Sequence, residues 1–191
     1  MKGRRGVSMT EELIVKHCSP TLAGLKAGNM FSCPNCCEKQ LLNEIRKINV
    51  CLKTKGVRLI PLKKQQDSIL LYLYRPDKLQ EDLLNASAKK ILEEQGYQNV
   101  HYSCCIMKLI QKMRENKDFP HEVGLFLGYP PEDVDGFIKN KACACKCVGC
   151  WKVYGDETKA LKIFEKYRKC TEIYCKQWRE GKTLDCLCVA S

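Results

Sequence analysis

The longest apolar run in the chain, Ser68-Ile-Leu-Leu-Tyr-Leu-Tyr74, has the length of a strand and falls far short of the roughly 20 residues a membrane-spanning helix needs. A second β-favouring segment, Gly56-Val-Arg-Leu-Ile-Pro-Leu62, precedes it, and the polar link from Lys63 to Ser68 suits a hairpin. Pro61 has no N–H to give a ladder, so the first strand of the pair lies at a sheet edge or ends there. Most of the remaining chain reads as helix. Glu11 and Glu12 before Leu13-Ile14-Val15 predict a first short helix that His17-Cys18-Ser19-Pro20 breaks, and Pro20 is suited to open a second over Thr21 to Ala27. A third is expected from Cys33-Pro34-Asn35-Cys36-Cys37 onward, with Leu41, Leu42, Ile45 and Ile48 at helical spacing. Further helices are predicted around Leu79 to Leu84, Lys89 to Gln95, Cys105 to Arg114, and after Pro130-Pro131-Glu132-Asp133. The last runs from Glu157 to Arg179, where Ala160, Phe164, Tyr167, Thr171, Tyr174 and Trp178 lay one stripe suited to core packing. The fold class this predicts is α+β: a small antiparallel sheet built on the hairpin, packed by several helices, with a long C-terminal helix.

A length of 191 residues suffices for one domain with a core of its own, so the fold does not need its 15 cysteines as staples. No opening segment combines a basic stretch, an apolar core and a small-residue cleavage site, which points to the cytoplasm, where thiols stay reduced and serve metals or catalysis before disulfides. Residues 11–191 are expected to form the single domain, cysteine-rich from about residue 141 onward. The first ten are read as a disordered leader or a mis-assigned start: Gly3-Arg4-Arg5-Gly6 can be encoded by the purine tract that bacterial ribosomes bind, and Met9 follows closely as the expected initiator. The formal charge of +11 would ordinarily suggest nucleic acid, but metal-bound thiolates would offset it. Nucleic acid is therefore the weaker reading, an acidic redox partner protein the stronger, and no membrane partner is expected. Lys141, Lys146, Lys152, Lys169 and Lys176, placed among the cysteines, would favour the thiolate form.

The densest constellation is Cys143-Ala-Cys145-Lys-Cys147-Val-Gly-Cys150. Residues two apart on an extended chain face the same way, and Cys147-x-x-Cys150 with Gly149 makes a tight knuckle in which two sulfurs can meet one ion. Cys170 on the final helix can complete a set with Cys145, Cys147 and Cys150, whereas Cys170 and Cys175 lie on different sides of that helix. Four thiolates suit zinc or an iron–sulfur cluster equally well. The bland alternative is a group of reduced thiols with no ligand. A second reading makes Cys18 a nucleophile near a helix N-terminus, with His121 as base, Glu122 orienting it and His17 alongside. A third is a basic interaction module with no catalytic centre.

Four stretches, His17-Cys-Ser-Pro-Thr-Leu-Ala-Gly-Leu-Lys26, Phe119-Pro-His-Glu-Val-Gly-Leu-Phe-Leu-Gly-Tyr-Pro130, Cys145-Lys-Cys-Val-Gly-Cys-Trp-Lys-Val-Tyr-Gly155 and Lys169-Cys-Thr-Glu-Ile-Tyr-Cys175, resemble a cysteine-rich family of unknown function common in anaerobic bacteria. The resemblance covers nearly all of the chain from Glu11 and brings no established activity with it. Within those stretches the side chains able to act chemically are His17, Cys18, Lys26, His121, Glu122, Cys145, Cys147, Cys150, Cys170 and Cys175. An anaerobic setting would tolerate an oxygen-sensitive iron–sulfur centre.

Overall fold

The apolar run from Ser68 to Tyr74 is a strand, and it is the middle one of three. In the computed structural model, which describes residues 8–34, 37–115 and 118–190, the elements are α1 (Met9–Leu22), β1 (Gly28–Pro34), α2 (Glu38–Leu52), a 3-10 turn (Lys53–Lys55), β2 (Arg58–Lys64), β3 (Ser68–Tyr74), α3 (Pro76–Leu84), α4 (Ala86–Glu94), α5 (Tyr102–Glu115), α6 (Val123–Phe126), α7 (Pro131–Lys139), β4 (Cys147–Val148), β5 (Lys152–Val153), α8 (Glu157–Arg179) and α9 (Leu184–Leu187). The fold is α+β, with an antiparallel sheet in the order β1-β3-β2 and a separate β4-β5 hairpin. No helix among the described residues is long and apolar enough to cross a membrane.

Both faces of β3 are covered, which is why it lacks polar alternation. Side chains alternate across a strand. Ile69, Leu71 and Leu73 enter one core with Ile14, Val15 and Leu22 of α1 and Leu41, Ile45 and Ile48 of α2. Leu70, Tyr72 and Tyr74 enter a second with Leu79 and Leu83 of α3, Leu109 of α5 and Phe126 of α6. β2 is an edge strand, and its pairing with β3 shifts register between Pro61 and Lys63, where the proline interrupts the ladder.

The ring of Tyr72 lies so close to Gly28 of β1 that a Cβ there would stand 2.4 Å from it. Its buried hydroxyl donates to the carbonyl of Phe126 at 2.6 Å. Tyr72→Phe should therefore lower stability by about 1–3 kcal/mol, since the carbonyl loses its donor inside the core. Denaturant unfolding checks this, and an unchanged midpoint would show the bond to be dispensable.

The first part of the chain departs from expectation. α1 continues through His17-Cys18-Ser19-Pro20 instead of breaking there, because Pro20 falls in the final turn and the Ser19 hydroxyl donates back to the Val15 carbonyl. The helix then ends in a Schellman turn: Leu25 N–H reaches Pro20 O at 2.8 Å and Gly24 N–H reaches Thr21 O at 3.1 Å, with Gly24 at φ 71. Thr21 to Ala27 is consequently not a second helix. Cys33 and Pro34 close β1 rather than opening a helix, and β1 was hidden because Gly-Asn-Met-Phe-Ser-Cys-Pro has little intrinsic β preference; pairing with β3 along its whole length decides its conformation. The start proposed at Met9 concerns a segment of which residues 1–7 lie outside the described ones. Ser8 caps α1 by accepting from Thr10 N–H at 3.2 Å.

One buried cation ties this region together. Arg75, 3 % exposed, donates to the carbonyls of Thr21 at 2.7 Å, Leu22 at 2.8 Å, Val189 at 2.7 Å and Lys55 at 3.2 Å. It thus meets the negative end of the α1 dipole. It also fastens the tail behind α9, where Val189 N–H reaches Leu22 O at 3.0 Å.

Candidate functional site

The Schellman turn at the end of α1 throws the chain sharply toward β1 and carries Lys26 inward, leaving it 4 % exposed. Its ammonium lies over two rings, 5.1 Å from the centroid of Tyr129 and 5.5 Å from that of Tyr167. Among the described residues no carboxylate pairs with it. Tyr129 arrives by the turn after α6, where Gly128 has φ 66 and passes so near the strand entry that a Cβ would stand 3.2 Å from Ala27 N. The Tyr129 ring stacks on Trp151 at 4.8 Å, and its hydroxyl donates to the Cys150 carbonyl at 3.1 Å. Tyr167 comes from the stripe on α8.

Cys150 sits in the turn of the β4-β5 hairpin, which two devices hold in place. A Cβ on Gly149 would stand 2.3 Å from the Phe164 ring, so the glycine is needed for the approach of the turn to α8. The buried carboxylate of Asp133, on α7, accepts from Trp151 Nε1 at 2.6 Å and from the N–H groups of Tyr154 and Gly155, each at 2.7 Å.

These elements enclose an open cleft of ≈ 630 Å³. Lys26, Tyr129, Tyr167 and Cys150 line it, the lysine buried and the cysteine exposed, together with His17, Asn29, Phe164, Thr171 and Cys175. Arg168, Glu172 and Arg179 line it from the C-terminal half of α8, so three cationic side chains face a single carboxylate. Arg168 is bonded to Glu172 at 2.7 Å. Burial pulls the Lys26 ammonium down to about 8, opposed in part by Cys150 and Cys18. Burial also pushes the Cys150 thiol up, with Lys26 opposing, and raises the phenols of Tyr129 and Tyr167 to about 12. His17 is lowered by burial and by Lys16. At neutral pH the cleft therefore holds a labile ammonium and a protonated thiol.

The four thiols expected at one metal do not share one set of surroundings, although Cys145 lies near enough to Cys147 to raise its thiol. Cys150 faces the cleft. Cys147 packs under the Trp151 cluster, its thiol raised by burial and by the Glu157 carboxylate. Cys145 is on the side of Tyr154, whose phenol is raised by burial and by that thiol. Cys170 lines a separate hollow with Leu25 and Tyr174, and burial raises it to about 11. Among the described residues no group of three or more His, Cys, Asp or Glu side chains is placed to hold a metal ion. Three of the lysines expected to favour the thiolates bond elsewhere: Lys146 donates to Gly155 O at 2.6 Å, Lys152 to Ala142 O at 2.7 Å, and Lys169 pairs with Glu165 at 2.6 Å. Gly149, read as the residue that lets two sulfurs converge, instead makes room for Phe164.

The Cys18 constellation is likewise dispersed. Cys18 is fully buried in the core against α2 and β3, far along α1 from its N-terminus, and burial raises its thiol well above the ordinary range. That corrects the expectation of a thiolate favoured by the helix dipole. His121 lies exposed, edge-on to Phe137 at 5.3 Å. Glu122 is turned away from it and buried, accepting from Tyr97 at 3.0 Å and from the Lys112 ammonium. His17 alone of this group reaches the cleft. Of the residues singled out in the sequence, His17, Lys26, Cys150 and Cys175 are brought together, and Tyr129, Tyr167 and Arg168 join them unforeseen. Tyr129 stood in a quoted stretch and Tyr167 in the stripe read as core packing, so both were visible without a role.

A family model described as a protein of unknown function (DUF3793) matches residues 14–188. No curated protein and no solved structure matches the chain. The matched span runs from α1 to α9 and contains every side chain that lines the cleft.

Proposed function

The chain belongs to the family described as protein of unknown function (DUF3793), and from that premise we propose that it binds a small, flat organic anion in the cleft around Lys26. The observation that carries this reading is a buried ammonium with no carboxylate partner among the described residues, lining an open cavity. Holding such a charge out of water is costly unless something opposite in sign meets it, and the two tyrosine rings supply only part of what hydration gave. Arg168 and Arg179 add attraction at longer range. Tyr129, Tyr167 and Phe164 give the walls a shape and polarisability suited to a planar group.

The charge state of Lys26 gives the reading a pH signature. Its ammonium is present below about 8 and is lost as pH rises through that value, so affinity for an anion should be highest on the acid side and fall across it. Calorimetric titration with benzoate well below and well above this pH tests the idea. Lys26→Met should weaken binding by roughly tenfold or more, the worth of one charge-assisted hydrogen bond, and remove the pH dependence. Unchanged affinity in that variant would overturn the proposal.

A further inference from the structure

We propose that Lys26 is a reacting amine as well as an anchor, forming an imine with a ligand that is both an anion and a carbonyl compound, such as a 2-oxo acid. This rests on the anion-binding reading of the cleft and adds a covalent step to it. Three features of the site favour the step. The amine is set among Tyr129, Tyr167 and Cys150, and no carboxylate among the described residues holds it in the charged form. Arg168, which follows Tyr167 on α8 and lines the same cleft, can take a carboxylate by yielding its bond to Glu172, which leaves Lys26 to meet the adjoining carbonyl. His17 and Cys150, also in the lining, each carry a group able to pass a proton.

The step closes without any other reactant. The neutral Nζ adds to the carbonyl carbon; the C–N bond forms as the π pair of C=O moves to oxygen, which takes up a proton while nitrogen gives one up. The hydroxyl of this carbinolamine then takes a proton and leaves as water while the nitrogen lone pair forms C=N, and the resulting iminium gives up its N–H proton, returning the one taken up. Amine plus carbonyl thus gives imine plus water, with no change of oxidation state. Burial lowers the Lys26 ammonium to about 8, so a usable fraction of neutral amine is present near neutrality, which an exposed lysine lacks.

Trapping tests this on the intact chain. The protein is incubated near pH 8 with phenylpyruvate, or with pyridoxal 5′-phosphate as a phosphate-bearing counterpart, together with cyanoborohydride, and its peptides are mapped by mass. The expected result is a reduced adduct on Lys26 that forms roughly tenfold or more faster than on surface lysines and is suppressed by benzoate. Trapping by either compound supports the step, and the faster one tells whether carboxylate or phosphate suits the cleft. Lys26→Arg, which keeps the charge but cannot form an imine, should still bind benzoate and give no adduct at that position. Lys26 left unmodified by both compounds, although phenylpyruvate competes with benzoate, overturns the imine and spares the anion site. Failure of benzoate to bind overturns both, and adducts spread evenly over the surface lysines overturn the imine.

Discussion

Replacing Arg75 by leucine should lower stability by about 3–5 kcal/mol, a large share of the 5–15 kcal/mol typical of a domain. The guanidinium is 3 % exposed and, among the described residues, donates to four backbone carbonyls drawn from α1, the 3-10 turn and the tail. Each bond to a charged donor is worth more than a neutral one, but the four share one side chain and do not add. Leucine leaves those oxygens facing an apolar group. Lysine should recover only part of the loss, because a single ammonium cannot span a fork of donors. Thermal unfolding of both variants checks the order, and a leucine variant as stable as the wild type would remove Arg75 from the account of how the tail is held. The tail should also become accessible to protease before the rest of the chain in the lysine variant.

Asp133→Ala is the second large effect, expected at about 2–4 kcal/mol. Three N–H groups lose a charged acceptor at once, one of them the indole of Trp151. Asparagine should rescue part of the loss, since its amide oxygen can keep the bonds from Tyr154 and Gly155, both made to Oδ1, while its nitrogen turns a donor toward the Trp151 indole. Because the hairpin carries Cys150 and supports Tyr129 through Trp151, benzoate affinity should fall along with stability. A variant that loses stability but keeps full affinity would show that the cleft does not depend on the hairpin's anchorage.

How far the sequence reveals this protein differs from element to element, for physical reasons. The hairpin of β2 and β3 and the long α8 are legible because local composition and tertiary environment agree there: β-branched and aromatic residues in the strands, one apolar stripe on the helix. β1 is not, because its conformation comes from its partner strand rather than from its own residues. Pro20 misleads in the same way, since a proline that would break the middle of a helix is tolerated in its final turn. The site was harder still. Spacing predicts which cysteines can face one way, but not that Gly149 yields to Phe164 or that Cys147, Cys150 and Cys170 each find separate surroundings. Lys26 gave no local signal of its importance. A lysine is expected in water, and only the turn at Gly24 combined with rings from two remote segments takes it out.

The double coverage of β3 has a consequence for how the sheet finds its alignment. Where one side of a strand is wetted, an error of a single place would expose its greasy half and be rejected at once. Here both sets are apolar, so such a slip would merely exchange them. Discrimination must come from something that is not interchangeable, and Tyr72 is that object: its phenol needs the carbonyl of Phe126, and its ring needs the gap that a residue without a side chain leaves at Gly28. In a misaligned chain a leucine would occupy that place, with no oxygen to offer, and the ring would have to find room on the opposite side.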